Sequence, residues 1–324
     1  MKNKTKPSHW ICSTHKSHIF TTPTHDFFCD QCPPYTGVLI ESYPGDKEPE
    51  PQPENSIQNA EVTKTGVGLY IFLVDSSASM FDGNAFPNVR QSRAEIVSAQ
   101  IAGAIFQMSA ISRKDDAYLF VLLFDHKLKP FINFMTLQQV FDKYSTAEDL
   151  QAALYREMQG MNGATDINLA LKTAYHHTQK FVNGEMESIG SIKPMFQTIY
   201  NPITLKDITI PNVRCLILTD GEQYTAANGI NRIEENPFER FEFEGRYVNI
   251  LMGAYNGSGN DGGCQELKAI MSKCPIHNEP QFFLFDNAHK IGDMYKLFRM
   301  ASGPSGFCPK CLENLVIRDK TSKS

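Results

Sequence analysis

Two sets of residues in this chain have the types and spacings that do chemistry. The first is Asp75, Ser77 and Ser79, alternate positions in Asp75-Ser-Ser-Ala-Ser79. They are joined far along the chain by Thr165 in Gly163-Ala-Thr-Asp166 and by Asp220 in Leu218-Thr-Asp-Gly221. All five offer oxygen and two carry charge at neutral pH, which is a donor set for a hard dication. Magnesium takes oxygen ligands in near-octahedral geometry, keeps waters and is held by one or two protein carboxylates. Ser77, Ser79 and Thr165 would supply neutral oxygens directly, and Asp75 and Asp220 would bind directly or through water. At least one position would stay open for a carboxylate from outside.

The second set is Cys12-x2-His15, Cys29-x2-Cys32 and Cys308-x2-Cys311, the two-residue spacing of zinc knuckles. Cys12, His15, Cys29 and Cys32 make a four-ligand set by themselves, with the Thr/Phe-rich stretch between them read as a hairpin. Cys308 and Cys311 open two alternatives: a zinc held by Cys29, Cys32, Cys308 and Cys311, or one held by Cys12, His15, Cys308 and Cys311. Spacing leaves the pairing open. No general base of the His-Glu-x-x-His kind accompanies these ligands, so the zinc is expected to be structural. Cys215 lies in an apolar strand, Cys264 and Cys274 flank an expected helix, and these single cysteines read as buried small hydrophobes.

The elements that must position the oxygen set follow from hydrophobic patterning. Residues 67–74 (Val-Gly-Leu-Tyr-Ile-Phe-Leu-Val) are almost wholly apolar and stop at Asp75. Such a run is a parallel strand covered on both faces, and open α/β sheets carry their sites beyond strand carboxyl ends. Further strands are expected at 117–125, 128–134, 212–219, 246–254 and 281–285, and helices at 91–110, 147–158, 166–182, 263–273 and 288–301. Residues 183–210 lack periodicity and read as an insertion. The alternation predicts an α/β fold: a doubly wound, mostly parallel sheet flanked by helices, with small zinc-binding terminal segments. Four segments result: a zinc-binding arm (1–43), a Pro/Glu-rich linker (44–64), the α/β domain (65–302) and a zinc-knuckle tail (303–324).

The ordered series Asp75-x-Ser77-x-Ser79, Thr165 and Asp220, each after a strand or at a helix start, resembles the von Willebrand factor A domain over residues 65–302. That resemblance implies a metal-ion-dependent adhesion site (MIDAS), in which an Asp or Glu of another protein completes the coordination of Mg²⁺ (or Mn²⁺ or Ca²⁺). Combined with zinc-binding segments, the architecture is similar to the bacterial tellurium-resistance Y-type family. This implies a cytoplasmic adaptor, not an enzyme, in stress or defence signalling, with a kinase or phosphatase among its partners. It departs from that family in carrying a zinc arm before the domain as well as a knuckle after it.

The alternative reading is a metal-dependent hydrolase using Asp75 and Asp220. A phosphatase of the haloacid-dehalogenase type would place a second aspartate at position 77, where this chain has serine. The Gly-rich stretch 256–263 lacks the Gly-Lys-Ser/Thr ending of a phosphate loop. At 324 residues with a net charge of −5, the chain is not drawn to nucleic acid or anionic membrane. No run approaches the length of a membrane-spanning helix, and the first residues show no apolar signal region. Eight cysteines in knuckles and apolar segments point to a reducing compartment.

Overall fold

The computed structural model describes residues 9–12, 19–20, 39–42, 68–83, 89–108, 114–161, 163–186, 196–201, 206–221, 223–224, 232–239, 242–243, 246–247, 251–285 and 308–311. The chain separates into two compact units, Met1–Thr65 and Gly66–Ser324. In the first, β1 (His9–Cys12) lies between β2 (Ile19–Phe20) and β3 (Leu39–Ser42), antiparallel to both.

The second unit is built on β4 (Gly68–Asp75), α1 (Arg93–Gln107), β5 (Ala117–Phe124), β6 (Leu128–Thr136), α2 (Leu137–Lys143), α3 (Ala147–Gln159) and α4 (Ile167–Val182). It continues through β7 (Phe196–Asn201), β8 (Lys206–Pro211), β9 (Val213–Thr219), β10 (Glu242–Phe243), β11 (Arg246–Tyr247), β12 (Leu251–Tyr255), α5 (Gly262–Ile270) and β13 (Phe282–Leu284). The main sheet has the order β13-β12-β9-β4-β5-β6, and every neighbouring pair is parallel except β5–β6.

β4 is buried along its whole length, which explains its unbroken hydrophobicity. Tyr70, Phe72 and Val74 point into one core with α1, α2 and α3, while Leu69, Ile71 and Leu73 point into the other with α4 and α5. From β4 the chain winds first to β5 on one side and later to β9 on the other. The strand order therefore reverses between β4 and β9, and the carboxyl end of that pair is where a doubly wound sheet opens a crevice. Val74 pairs with Leu218, so Asp75 and Thr219 leave the sheet side by side.

Several elements differ from the sequence expectation. α2 is an extra helix whose start carries a Thr136/Gln139 capping box, a local signal masked by the strand directly before it. The aperiodic insertion contains the two-stranded antiparallel ribbon β7–β8. The strand expected over 246–254 is divided: residues 246–247 pair with β10, and only Leu251–Tyr255 joins the main sheet. The helix expected at 288–301 lies outside the described residues. Among the described residues, no helix is long and apolar enough to cross a membrane.

Candidate metal centre

Three loops bring the oxygen set together at the carboxyl edge of β4 and β9. The first begins at Asp75, which is fully buried. Its Oδ1 accepts from Ser77 N at 2.8 Å, the bond of a tight Asx turn that throws Ser77 and Ser79 to the same side. A 3₁₀ turn over Ala78–Phe81 follows, and Ser77 stands at its N-cap without using its side chain as a cap. Its hydroxyl instead lies 3.2 Å from that of Ser79. Ser79 in turn donates to Asp220 Oδ1 at 2.8 Å, which closes the distance between the first and third loops.

The second loop carries Thr165. Ser and Thr before a helix are commonly caps, but here Asp166 caps α4, accepting from Leu169 N at 3.0 Å. That leaves the Thr165 hydroxyl free for the site, where the residue is 6% exposed. The third loop carries Asp220 and Gly221. A Cβ at position 221 would stand 3.1 Å from Thr165 Oγ1 and 3.8 Å from Asp75 Oδ2. The glycine thus lets the third loop close onto the other two while leaving the cradle between those oxygens open. This donor set, two carboxylates and three hydroxyls gathered in a small partly buried space, fits a hard dication.

Electrostatics point the same way. Burial, and next the neighbouring Asp220 charge, push the Asp75 carboxyl up to about 7, although bonds from Thr219 and Ser77 oppose the shift. Burial also raises the Asp220 carboxyl, against the pull of Arg93. Two acids held together out of water repel one another, and a cation between them would relieve that repulsion. Part of the relief is already built in. Arg93 Nη1, from the first turn of α1, is 2.9 Å from Asp220 Oδ2 and 3.3 Å from the Ser79 carbonyl oxygen.

Residues that the spacing argument overlooked hold the loops in register. Asp125, at the end of β5, accepts from Gly163 N (2.9 Å) and Lys127 N (2.6 Å), fixing the approach to Thr165. Ala78 N donates to the Gly163 carbonyl oxygen, and Tyr224 N donates to that of Thr165. Gln223 accepts from Asn168 N and donates to Asp166 Oδ1, joining the third loop to the head of α4. Thr219 donates to Asp75 Oδ2 at 2.5 Å. An acid directly after a buried strand was the available signal for Asp125, since it repeats the situation of Asp75. His177 rests against Phe120 and Phe134, away from this loop cluster.

The cysteine expectations divide differently. His15, Cys29 and Cys32 lie outside the described residues, and of Cys12 only the backbone in β1 is described. Cys308 and Cys311 meet Cys274 and His277, a set in which all ligand atoms lie within 4.8 Å of one another. Neither pairing drawn from the knuckle spacing included those two. Cys274 is buried as expected, but it is not alone. The signal was present: Cys274-Pro-Ile-His277 has the same Cys-Pro-x-ligand form as Cys308-Pro-Lys-Cys311.

No protein-family model matches the chain, and no curated protein matches it. Among solved structures it is similar to proximal thread matrix protein 1 from the mussel byssus, at 14% identity and a TM-score of 0.44, over 73% of this chain and 48% of that one. A further structure of the mussel protein, described as having a zinc-occupied MIDAS motif, is similar at 15% identity and a TM-score of 0.43, over 73% and 48% of the two chains. A von Willebrand factor type A from Catenulispora acidiphila shows 12% identity and a TM-score of 0.39, over 74% and 43%. The PilB minor pilin from Streptococcus sanguinis shows 13% identity and a TM-score of 0.44, over 78% and 63%. The chain spans less than two thirds of the length of each of these.

Proposed function

We propose that the second unit is a cation-dependent protein-docking module. Asp75, Ser77, Ser79, Thr165 and Asp220 hold Mg²⁺, or Mn²⁺ or Ca²⁺, and an Asp or Glu side chain of a partner protein completes the shell. The observation that carries this reading is the convergence of five oxygen-bearing side chains from three loops, with the hydroxyls of Ser77 and Thr165 released from capping. The bound ion would supply charge and an open coordination position. The protein residues aim the carboxylates, exclude water behind them and leave the edge at Ala78 and Ser79 open.

The rim suggests what surrounds the partner's acid. Tyr224 is 52% exposed and Leu169 36%, the large exposed hydrophobics among the described residues, and both adjoin the Thr165 loop. Exposed aromatic anchors beside a buried polar centre are typical of interface hot spots. The partner segment is accordingly an acidic residue flanked by apolar side chains.

The hydrolase alternative has less support. Both Asp75 oxygens already accept hydrogen bonds, from Ser77 N and Thr219 Oγ1, and both Asp220 oxygens face Ser79 or Arg93. A carboxylate so engaged keeps lone pairs for a cation but is poorly placed as a nucleophile. The protein is therefore proposed to be a non-enzymatic adaptor. By the resemblance of its sequence, its setting is a bacterial stress or defence complex with kinase or phosphatase partners. By the same resemblance, its location is proposed to be the cytoplasm. Cys12, His15, Cys29 and Cys32 remain the proposed zinc ligands of the first unit.

The test is a pull-down from the native host with Mg²⁺ and with EDTA, comparing the parent chain with Asp75→Asn. Capture of the same partner in all arms by folded protein would sink the reading. Capture lost in EDTA and in the variant is the expected result.

A further inference from the structure

Cys274, His277, Cys308 and Cys311 lie at the opposite end of the sheet from Asp75. Ser272, just before them, is bonded to the first residue of β12: Leu251 N donates to Ser272 Oγ (3.2 Å) and Ser272 N to the Leu251 carbonyl (3.1 Å). From there the chain closes a tight knuckle. Cys274 N donates to the Glu279 carbonyl (2.7 Å), and Asn278, with a left-handed φ of 56°, donates to the Cys274 carbonyl (2.9 Å). Within the turn, the N–H groups of Ile276 and His277 point at Cys274 Sγ from 3.4 and 3.5 Å. Backbone N–H groups aimed at a sulfur are the outer-shell partners that a metal-bound cysteine uses.

The distances identify the ligand. Zn–S bonds of about 2.3 Å and Zn–N bonds of about 2.0–2.1 Å set tetrahedron edges of about 3.8 Å between sulfurs and about 3.5 Å between sulfur and nitrogen. Cys311 Sγ is 3.8 Å from the sulfurs of both Cys274 and Cys308. His277 Nδ1 is 3.3 Å from Cys308 Sγ, 3.3 Å from Cys311 Sγ and 3.8 Å from Cys274 Sγ. Five of the six edges match within a few tenths of an ångström, and the sixth lies within 4.8 Å. Disulfide-bonded sulfurs would be near 2 Å apart, so the 3.8 Å separations here belong to no disulfide.

We propose that Cys274, His277, Cys308 and Cys311 bind one structural zinc ion through three thiolates and the imidazole Nδ1. The set is complete without a ligand from the first unit, and it stands apart from the docking site. Its ion joins residues 308–311 to the knuckle after α5, across sequence separations of 31 to 37 residues. Cys308 and Cys311 thereby become part of the core that contains Phe283 and Phe285. An ion pair between Lys310 and Glu279 spans the same two knuckles.

Zinc content of the full chain, purified without chelator, tests this. Cys308→Ser is expected to lose one zinc equivalent relative to the parent, whatever the first unit holds, while Asp75→Asn loses none. An unchanged zinc content in Cys308→Ser overturns the proposal. His277→Cys keeps a tetrahedral ligand set and covers the case in which Cys308→Ser does not fold. In cobalt-substituted protein it should retain the metal and shift the absorption bands from those of three sulfurs and one nitrogen toward those of four sulfurs. Bands that do not move, or cobalt content that never depended on these residues, would overturn the proposal equally.

Discussion

Arg93 puts a fixed positive charge 2.9 Å from the carboxylate that a dication would need. Its guanidinium neutralises Asp220 in the absence of metal, and the same charge repels an arriving ion. An ion pair near a protein surface is worth on the order of 1 kcal/mol, or about fivefold in affinity. Arg93→Gln should therefore tighten cation binding about fivefold at pH 8, read by titration calorimetry or terbium luminescence. Weaker binding would mean that Arg93 serves to orient Asp220. Tyr224 makes the complementary case. Its backbone N–H holds the Thr165 loop while its ring is exposed, so Tyr224→Ala keeps the backbone bond. Partner affinity should fall by about tenfold or more, the usual size for an aromatic anchor, with cation affinity unchanged.

The loops behave as one unit because elements on both sides tie them down. β5 is followed directly by Asp125, whose carboxylate holds Gly163; the head of α4 is capped by Asp166; and Gln223 bridges to the third loop. At Gly163 a Cβ would run into the His126 ring and come within 2.7 Å of Asp125 Oδ2. Gly163→Ala must push the loop off Asp125 and carry Thr165 with it. The expected outcome is a loss of cation affinity of at least tenfold in a domain whose far-ultraviolet circular dichroism is unchanged. Unaltered affinity would show that Thr165 contributes nothing to binding.

At the scale of the molecule, the buried acids should make stability depend on pH and metal together. Asp75 is raised to about 7 in the folded state, so the metal-free fold binds this proton more tightly than the unfolded chain does. Its stability should be highest below about pH 4 as far as this group is concerned, and should fall as pH rises from about 4 through 7. Cation binding has the opposite sign, because the ion competes with the proton and grows stronger over the same range. Thermal melts with and without Mg²⁺ should thus diverge as pH rises. At a concentration about 100 times Kd the ion adds about 2.7 kcal/mol, or roughly 5–10 °C for a domain of this size. Superimposable melts at pH 8 would rule out binding to the folded state.

The candidate oxygen donors and the strands that deliver them were legible in the sequence because both are local facts. A buried strand announces itself by an unbroken apolar run, and Asp75-x-Ser77-x-Ser79 places three oxygens on one turn. The knuckle spacing likewise marked Cys308 and Cys311 as candidate ligands. What required the tertiary structure was the pairings outside that set: Arg93 against Asp220, Asp125 beneath Gly163, and Cys274 and His277 beside Cys308 and Cys311. Hydrophobic periodicity specifies which face of an element is buried and is silent on which neighbour buries it. That choice is made by strand order and crossover connections, which bring residues more than thirty or even a hundred positions apart within bonding distance.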